Sequence, residues 1–292
     1  MRENSLKKII FSADDFGKCR EMNIAIQKAF LSGVLTSTCI MTNGNDYDYA
    51  AKEIYPQCEG LGLGCHLNII EGKSFLYKDS RSLLCDAFGN FNCGYGYMLL
   101  NSHNKSFLDE VEVEFRAQIE KSLNSFKIDH LNSHVHVHGI PAFFKLTCKL
   151  AKEYGIPYVR TQKELFYGVS ELGKYKEMGV LDISLNFVKN ILLNSFTSCN
   201  VKFLKSEKLF TNDYFIGLLF TSYMDKRVIL DGLKKIPEGP SVTEVLIHPY
   251  YFEDLAKSDF RKEREYLLTQ DKDIVSKIEE LGFVFANFSS IA

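Results

Sequence analysis

The chain has 292 residues, 46% of them hydrophobic and 25% charged, with a formal net charge of -2. This is the composition of a globular protein with a large core, at a length that suits two ordinary domains or one large α/β barrel. The near-neutral balance argues against nucleic-acid or membrane-surface binding. The first apolar run is too short for a signal-peptide core or a membrane span, so a cytoplasmic location is expected.

Lys8–Ala13 reads as a buried strand, and Glu21–Ser32 follows with helical spacing closed by Gly33. Ser37–Met41 predicts a second strand, Tyr47–Ile54 a short helix, and Gly60–Leu67 a third strand in which Leu61, Leu63 and Cys65 alternate with Gly62, Gly64 and His66. Residues 68–104 lose this pattern and read as a loop-rich insertion over one end of the fold. Alternation resumes with a helix at Phe107–Phe126, a strand at His130–Ser133, a proline-opened helix at Pro141–Tyr154 and a strand at Tyr158–Arg160. Helices at Leu181–Ser198, Lys226–Lys235 and Phe260–Leu281 then frame strands at Val242–Ile247 and Phe283–Phe288. About seven strands separated by helices predict a parallel, barrel-like sheet, and with no repeat or hinge the chain reads as one domain over residues 1–292. Eight scattered cysteines without a C-x-x-C pair read as reduced thiols.

Chemistry-bearing residues gather at predicted strand ends. Four of the seven histidines lie within His130–His138, and in an extended segment His134, His136 and His138 share one face. Imidazoles with carboxylates from distant segments are the donors a divalent cation takes. Asp14 and Asp15 follow the first strand, where one carboxylate can hold metal and the other move a proton, or the pair can cap a helix. His66 ends the third strand, as a ligand or as a core histidine, while Arg160 and His248 end two later ones. In a parallel barrel such ends converge on one mouth.

Phe11-Ser-Ala-Asp-Asp-Phe-Gly17, Gly33-Val-Leu-Thr-Ser-Thr38 with Asn43-Gly44, Gly64-Cys-His-Leu-Asn68 with Gly72, His130 to His138 with Pro141, and His248-Pro249 resemble, in order, the motifs of the YdjC/ChbG carbohydrate deacetylase family. The resemblance implies a distorted TIM-like (β/α) barrel that hydrolyses the N-acetyl group of an N-acetylglucosamine-type sugar or chitooligosaccharide. It implies one divalent metal ion, magnesium or zinc, on Asp15, His66 and His134, with Asp14 as catalytic base. His248 matches the acid or transition-state stabiliser, and Arg160 the arginine that orients the acidic residue. His136, His138, Asn68 and Tyr250 are expected to line the substrate pocket, and analogy suggests a homodimer. Two positions depart from the family pattern: Asn132 stands for the usual Asp two residues before the ligand histidine, and Tyr250 for the usual glycine after His-Pro. Competing readings are a metal-dependent amidohydrolase or phosphoesterase of a non-sugar substrate, and a sugar-binding barrel without catalysis.

Overall fold

The structure, a computed structural model, describes residues 6–76, 82–169, 180–254, 256 and 258–291. Its strands are β1 (Lys7–Phe16), β2 (Ser37–Ile40), β3 (Gly62–Leu67), β4 (His130–Ser133), β5 (Tyr158–Val159), β6 (Tyr214–Ile216), β7 (Ser241–Ile247) and β8 (Phe283–Phe285). Among the helices are α1 (Arg20–Leu31), α2 (Tyr47–Tyr49, continued by wider turns to Gln57), α3 (Tyr95–Asn101), α4 (Lys105–Leu123) and α5 (Pro141–Glu153). The remainder are α6 (Val180–Ser206), α7 (Lys226–Leu233), α8 (Phe260–Thr269) and α9 (Ile274–Glu280).

Neighbouring strands run parallel in the order β5-β4-β3-β2-β1-β7-β6. The sheet curls until its ends meet: Val159 N donates to Phe210 O at 3.0 Å and Phe215 N to Lys163 O at 2.8 Å. β8 pairs with Lys7–Ile9 of β1, below the stretch from Ser12 onward that pairs with β2. The result is a distorted, TIM-like barrel.

Strand parity sorts the side chains. Ile9, Phe11 and Ala13 of β1, Leu63 and Cys65 of β3, Leu131 of β4 and Val245 and Ile247 of β7 join one core with the helices. Helices α4 and α5 complete it with Phe107, Phe115, Phe143 and Phe144, each fully buried. Each such ring contributes roughly 2–3 kcal/mol by leaving water. The opposite parity turns Ser12, Asp14, His66, Asn132, Arg160 and Glu244 away from that core, and all six are buried nonetheless.

The differences from the sequence reading have local causes. β6 has only three residues, too few to show a period, and had no predicted counterpart. The helix expected over Phe260–Leu281 breaks at Gln270–Asp273, where Asp271 Oδ1 accepts the Asp273 N–H at 2.9 Å and offers the backbone a turn. The insertion holds α3 and two short antiparallel bridges, Lys73 with Asn90 and Cys85 with Phe91. The last strand stops at Phe285 because Asn287 caps a single helical turn beyond it. All eight cysteines are free. Among the described residues no helix is long and apolar enough to cross a membrane.

Candidate active site and cation centre

β1 runs past its expected end, so Asp14 and Asp15 lie within the strand rather than at a helix cap; α1 begins after Cys19, without a side-chain cap. The register with β2 slips between Ala13 and Phe16, and Asp15 takes φ 67°. A bulge of this kind re-aims side chains, and a non-glycine residue in the left-handed region is strain held in place by its surroundings. Here both consecutive carboxylates reach the inside of the barrel mouth. Beyond the bulge, Gly17 at φ 92° and Gly44 pack so closely that a Cβ on Gly44 would overlap the Gly17 backbone.

Asp15 meets two imidazoles. His134 Nδ1 lies 2.8 Å and His66 Nε2 3.0 Å from Asp15 Oδ1. The rings of His66 and His134 stand edge to face, with centroids 5.7 Å apart. His66 Nε2 is buried and makes no directed hydrogen bond, because the carboxylate lies off its ring axis. That nitrogen and its neighbours offer three donor atoms of the type a divalent cation takes, all within 4.8 Å of one another. Burial alone would raise the Asp15 pKa, but the His134 hydrogen bond and the close approach of His66 hold it well below the ordinary range.

Charge agrees with geometry. Asp14, Asp15 and Glu244 bring three carboxylates to the interior against one guanidinium, Arg160. Burial would lower the His66 pKa, but the Asp14 and Asp15 charges raise it, so the cluster favours added positive charge. A second donor group, Asp14, Cys39 and His66, is also compact. It is closed by hydrogen bonds, because Asn132 Oδ1 sits 2.7 Å from His66 Nδ1 and Arg160 occupies Asp14. A cation there would face the guanidinium directly.

Asp14 is held from three sides. Arg160 Nη1 donates to Oδ2 at 2.6 Å and Nη2 to Oδ1 at 2.8 Å. Asn132 Nδ2 reaches Oδ1 at 3.2 Å, and the Cys39 thiol lies 3.0 Å from the same oxygen. Burial would raise the Asp14 pKa, but the Arg160 charge, aided by His66, holds it far below the usual carboxylate range. Arg160 itself is fixed by Glu244, whose Oε1 accepts from Nε at 2.9 Å, and by Ser12 Oγ at 3.3 Å. Oδ2 of Asp14 thus accepts from one side-chain donor, whereas Oδ1 faces three.

His248 stands on the rim at the end of β7, with its backbone N–H held by the buried Glu265 carboxylate. Burial lowers its pKa despite the nearby Asp15 and Asp14 charges. Beside it opens a cavity of about 220 Å³ lined by Tyr250, Tyr223, Arg261 and Arg264 among others. Tyr250, expected to line the substrate pocket, does line this one.

Three other expected pocket residues are placed differently. The His134–Gly139 segment is not extended: Val135 and His136 adopt φ of 52° and 59°, so the histidines diverge. His138 is fully buried, bonded through Ser133 Oγ, the Arg160 carbonyl and Gln162, with its pKa lowered to about 3 by burial. It braces the backbone under Arg160 and offers a substrate nothing. His136 is also buried, edge-on to Phe215, with Nδ1 unpartnered. Asn68 spends its carboxamide on Asn43, Ile70 and Glu71 and so organises the loop after β3.

Glu244, Cys39, Lys18 and Glu71 were not singled out in the sequence. Glu244 had a legible signal, a charge in the middle of the apolar strand Val242–Ile247. Cys39 had none, since a buried thiol is ordinary.

The profile of the YdjC-like protein family matches residues 8–280. A carbohydrate deacetylase of Thermoanaerobacter pseudethanolicus is 25% identical over 289 residues, covering 97% of this chain and 99% of that protein. A chitooligosaccharide deacetylase of Yersinia pestis is 34% identical over 155 residues, covering 52% of this chain and 58% of the relative. A solved structure from Enterococcus faecalis, provisionally named a cellobiose-phosphate cleavage protein, superposes with a TM-score of 0.72 at 24% identity, covering 99% of this chain and all of that one. With a profile match that runs from the first strand to the last helix, and so takes in every strand end just described, the chain belongs to the YdjC-like protein family.

Proposed function

We propose that this protein is a metal-dependent carbohydrate deacetylase that hydrolyses the N-acetyl group of an N-acetylglucosamine-type sugar or chitooligosaccharide, giving acetate and an amino sugar. The observation that carries the proposal is the meeting of Asp15, His66 and His134 around one small volume, beside a separately held carboxylate, Asp14. The names of the relatives support the substrate class.

Asp15, His66 and His134 would hold a divalent ion, magnesium or zinc, which when bound would supply an acidified water and positive charge at the carbonyl oxygen. Asp14 takes the proton of the attacking water at Oδ2. Arg160, braced by Glu244, keeps that carboxylate ionised and aimed. His248, at the end of the strand paired with β1, protonates the departing amine. Tyr250 offers ring and hydroxyl to the sugar.

A phosphoesterase needs cationic groups against the phosphate; Arg160 is engaged by Asp14 and Glu244, which leaves Arg261 and Arg264 of the cavity beside His248 for that competing reading. A cytoplasmic location and a homodimer belong to the same proposal, and light scattering of the purified chain checks the dimer. The decisive test is acetate release from mono-, di- and trisaccharide N-acetyl substrates with magnesium or zinc added, and again after chelation. Release that disappears on chelation and returns with metal is expected. Sugar binding without acetate, or phosphate release from phosphoesters alone, defeats the proposal.

A further inference from the structure

Two imidazoles face Asp15 through different nitrogens. His66 presents Nε2 to Asp15 Oδ1 and turns Nδ1 to Asn132 Oδ1, 2.7 Å away. His134 presents Nδ1 and turns Nε2 outward, where the nearest carboxylate oxygen is Glu71 Oε1 at 3.5 Å. A ligating imidazole must keep its proton on the far nitrogen, and an oxygen placed there fixes both tautomer and ring plane. His66 has a neutral amide for this purpose and His134 has a charged carboxylate.

Glu71 is held at this place by named contacts. Asn68 Nδ2 donates to the Glu71 carbonyl at 2.8 Å, and Asn68 Oδ1 accepts the Glu71 N–H at 3.3 Å. Gln118 of α4 clamps the Asn68 backbone from both sides, at 2.8 and 2.7 Å. Lys18 Nζ binds Glu71 Oε1 at 2.7 Å and stands 3.5 Å from Asp15 Oδ2. The turn that delivers Lys18 closes through Lys18 N to Asp15 O at 3.0 Å. The Glu71 side chain is 43% exposed, so it lies on the rim and not in the core.

We propose that Glu71, anchored by Lys18 and by the Asn68 loop, is the outer carboxylate that orients His134 for cation binding. This rests on the cation reading above and adds a positioning residue to it. At 3.5 Å from His134 Nε2 the Glu71 oxygen stands just beyond hydrogen-bond length, as the carboxylate placed against that nitrogen. Glu71 also draws Lys18 toward itself, so that the ammonium does not settle fully on Asp15 in competition with a cation. Removing Glu71 therefore weakens the site twice.

The test is calorimetric titration of the full chain with zinc, alongside nitrogen-15 NMR of the metal-free His134 ring. Glu71→Ala is expected to bind zinc about 10- to 100-fold more weakly, the range for lost outer partners of ligating histidines. Glu71→Gln keeps an acceptor oxygen and is expected to recover part of that loss. In the metal-free wild type, where Nδ1 already faces Asp15 at 2.8 Å, Glu71 is expected to add proton occupancy at Nε2, and that occupancy falls in Glu71→Ala. Unchanged affinity in Glu71→Ala, or a Gln variant as weak as the Ala variant, overturns the inference. Zinc binding lost in His134→Ala but intact in Glu71→Ala defeats this inference alone. A wild type that takes no zinc brings down the cation reading with it.

Discussion

The two ends of the barrel each pair an aspartate with a histidine, and only one of them makes a site. At the mouth, Asp15 meets both His66 and His134, and His66 Nε2, like His130 Nε2 at the other end, lacks a directed hydrogen-bond partner. At the opposite end, Asp129 Oδ1 lies 2.6 Å from His130 Nδ1, while Ser289 Oγ takes its second oxygen at 2.9 Å. The His130 ring stacks on Phe288 at 3.8 Å, and Phe288 packs edge-on against Tyr158. No second imidazole approaches Asp129 there among the described residues. The donor types are alike, and the neighbours differ: a second imidazole gives the mouth three donor atoms of the kind a cation takes, whereas an aromatic stack and a hydroxyl make the other end a plug.

Exchanging the same mutation between the ends gives the largest expected contrast. His66→Ala removes a ligand and should abolish zinc binding, with turnover falling beyond the roughly 10²- to 10³-fold typical of one lost electrostatic contact. His130→Ala should leave zinc affinity near the parent value and cost about 2–4 kcal/mol of stability through the cavity under Phe288. Equal zinc loss in both variants, by calorimetry, erases the distinction.

Within the mouth, Asp14→Asn separates the proton carrier from the ligands. Zinc binding should persist while kcat for acetate release falls about 10²- to 10⁴-fold. Near-parent turnover moves the base elsewhere. At the lower end, a Cβ on Gly64 would overlap the His130 ring. Gly64→Ala should therefore cost roughly 1–3 kcal/mol in denaturant unfolding, with zinc affinity unchanged.

The smallest effect sharpens the contrast from outside the barrel. Glu164 is buried and accepts the backbone N–H groups of Gly217, Leu218 and Leu219 at 2.8, 2.8 and 2.9 Å. Burial nevertheless pushes its pKa up to about 7. A carboxyl with a raised folded pKa contributes its full stability below the ordinary value of 4.5, and loses it as pH rises through 7. Glu164→Gln should lower the melting temperature at pH 5, yet lose a few degrees less than the wild type between pH 5 and pH 8. Parallel melting curves across that range remove Glu164 from the pH response.

Much of the frame was readable from residues alone. Alternation in Gly60–Leu67 separated Leu63 and Cys65 from His66, because side chains on a strand change sides at every residue, and the structure turns the first pair toward the helices. The motif order identified the family before any contact was known. Less was readable where the chain leaves regular geometry. A shared face for His134, His136 and His138 required an extended backbone, and the left-handed turn at Val135 and His136 removed it. Asn68 looked like a pocket residue by its place in a motif, and it proved to be the brace of the loop that carries Glu71.

What the sequence by itself determined is the parallel α/β frame and the residue types delivered to its mouth, since both follow from short-range periodicity. Only the tertiary structure decided which nitrogen faces which oxygen, that Glu244 shares Arg160 with Asp14, and that Asp129 and His130 form a plug. Those outcomes depend on contacts between residues far apart in the chain, such as the 146 positions between Asp14 and Arg160, and on backbone turns that no local pattern announces.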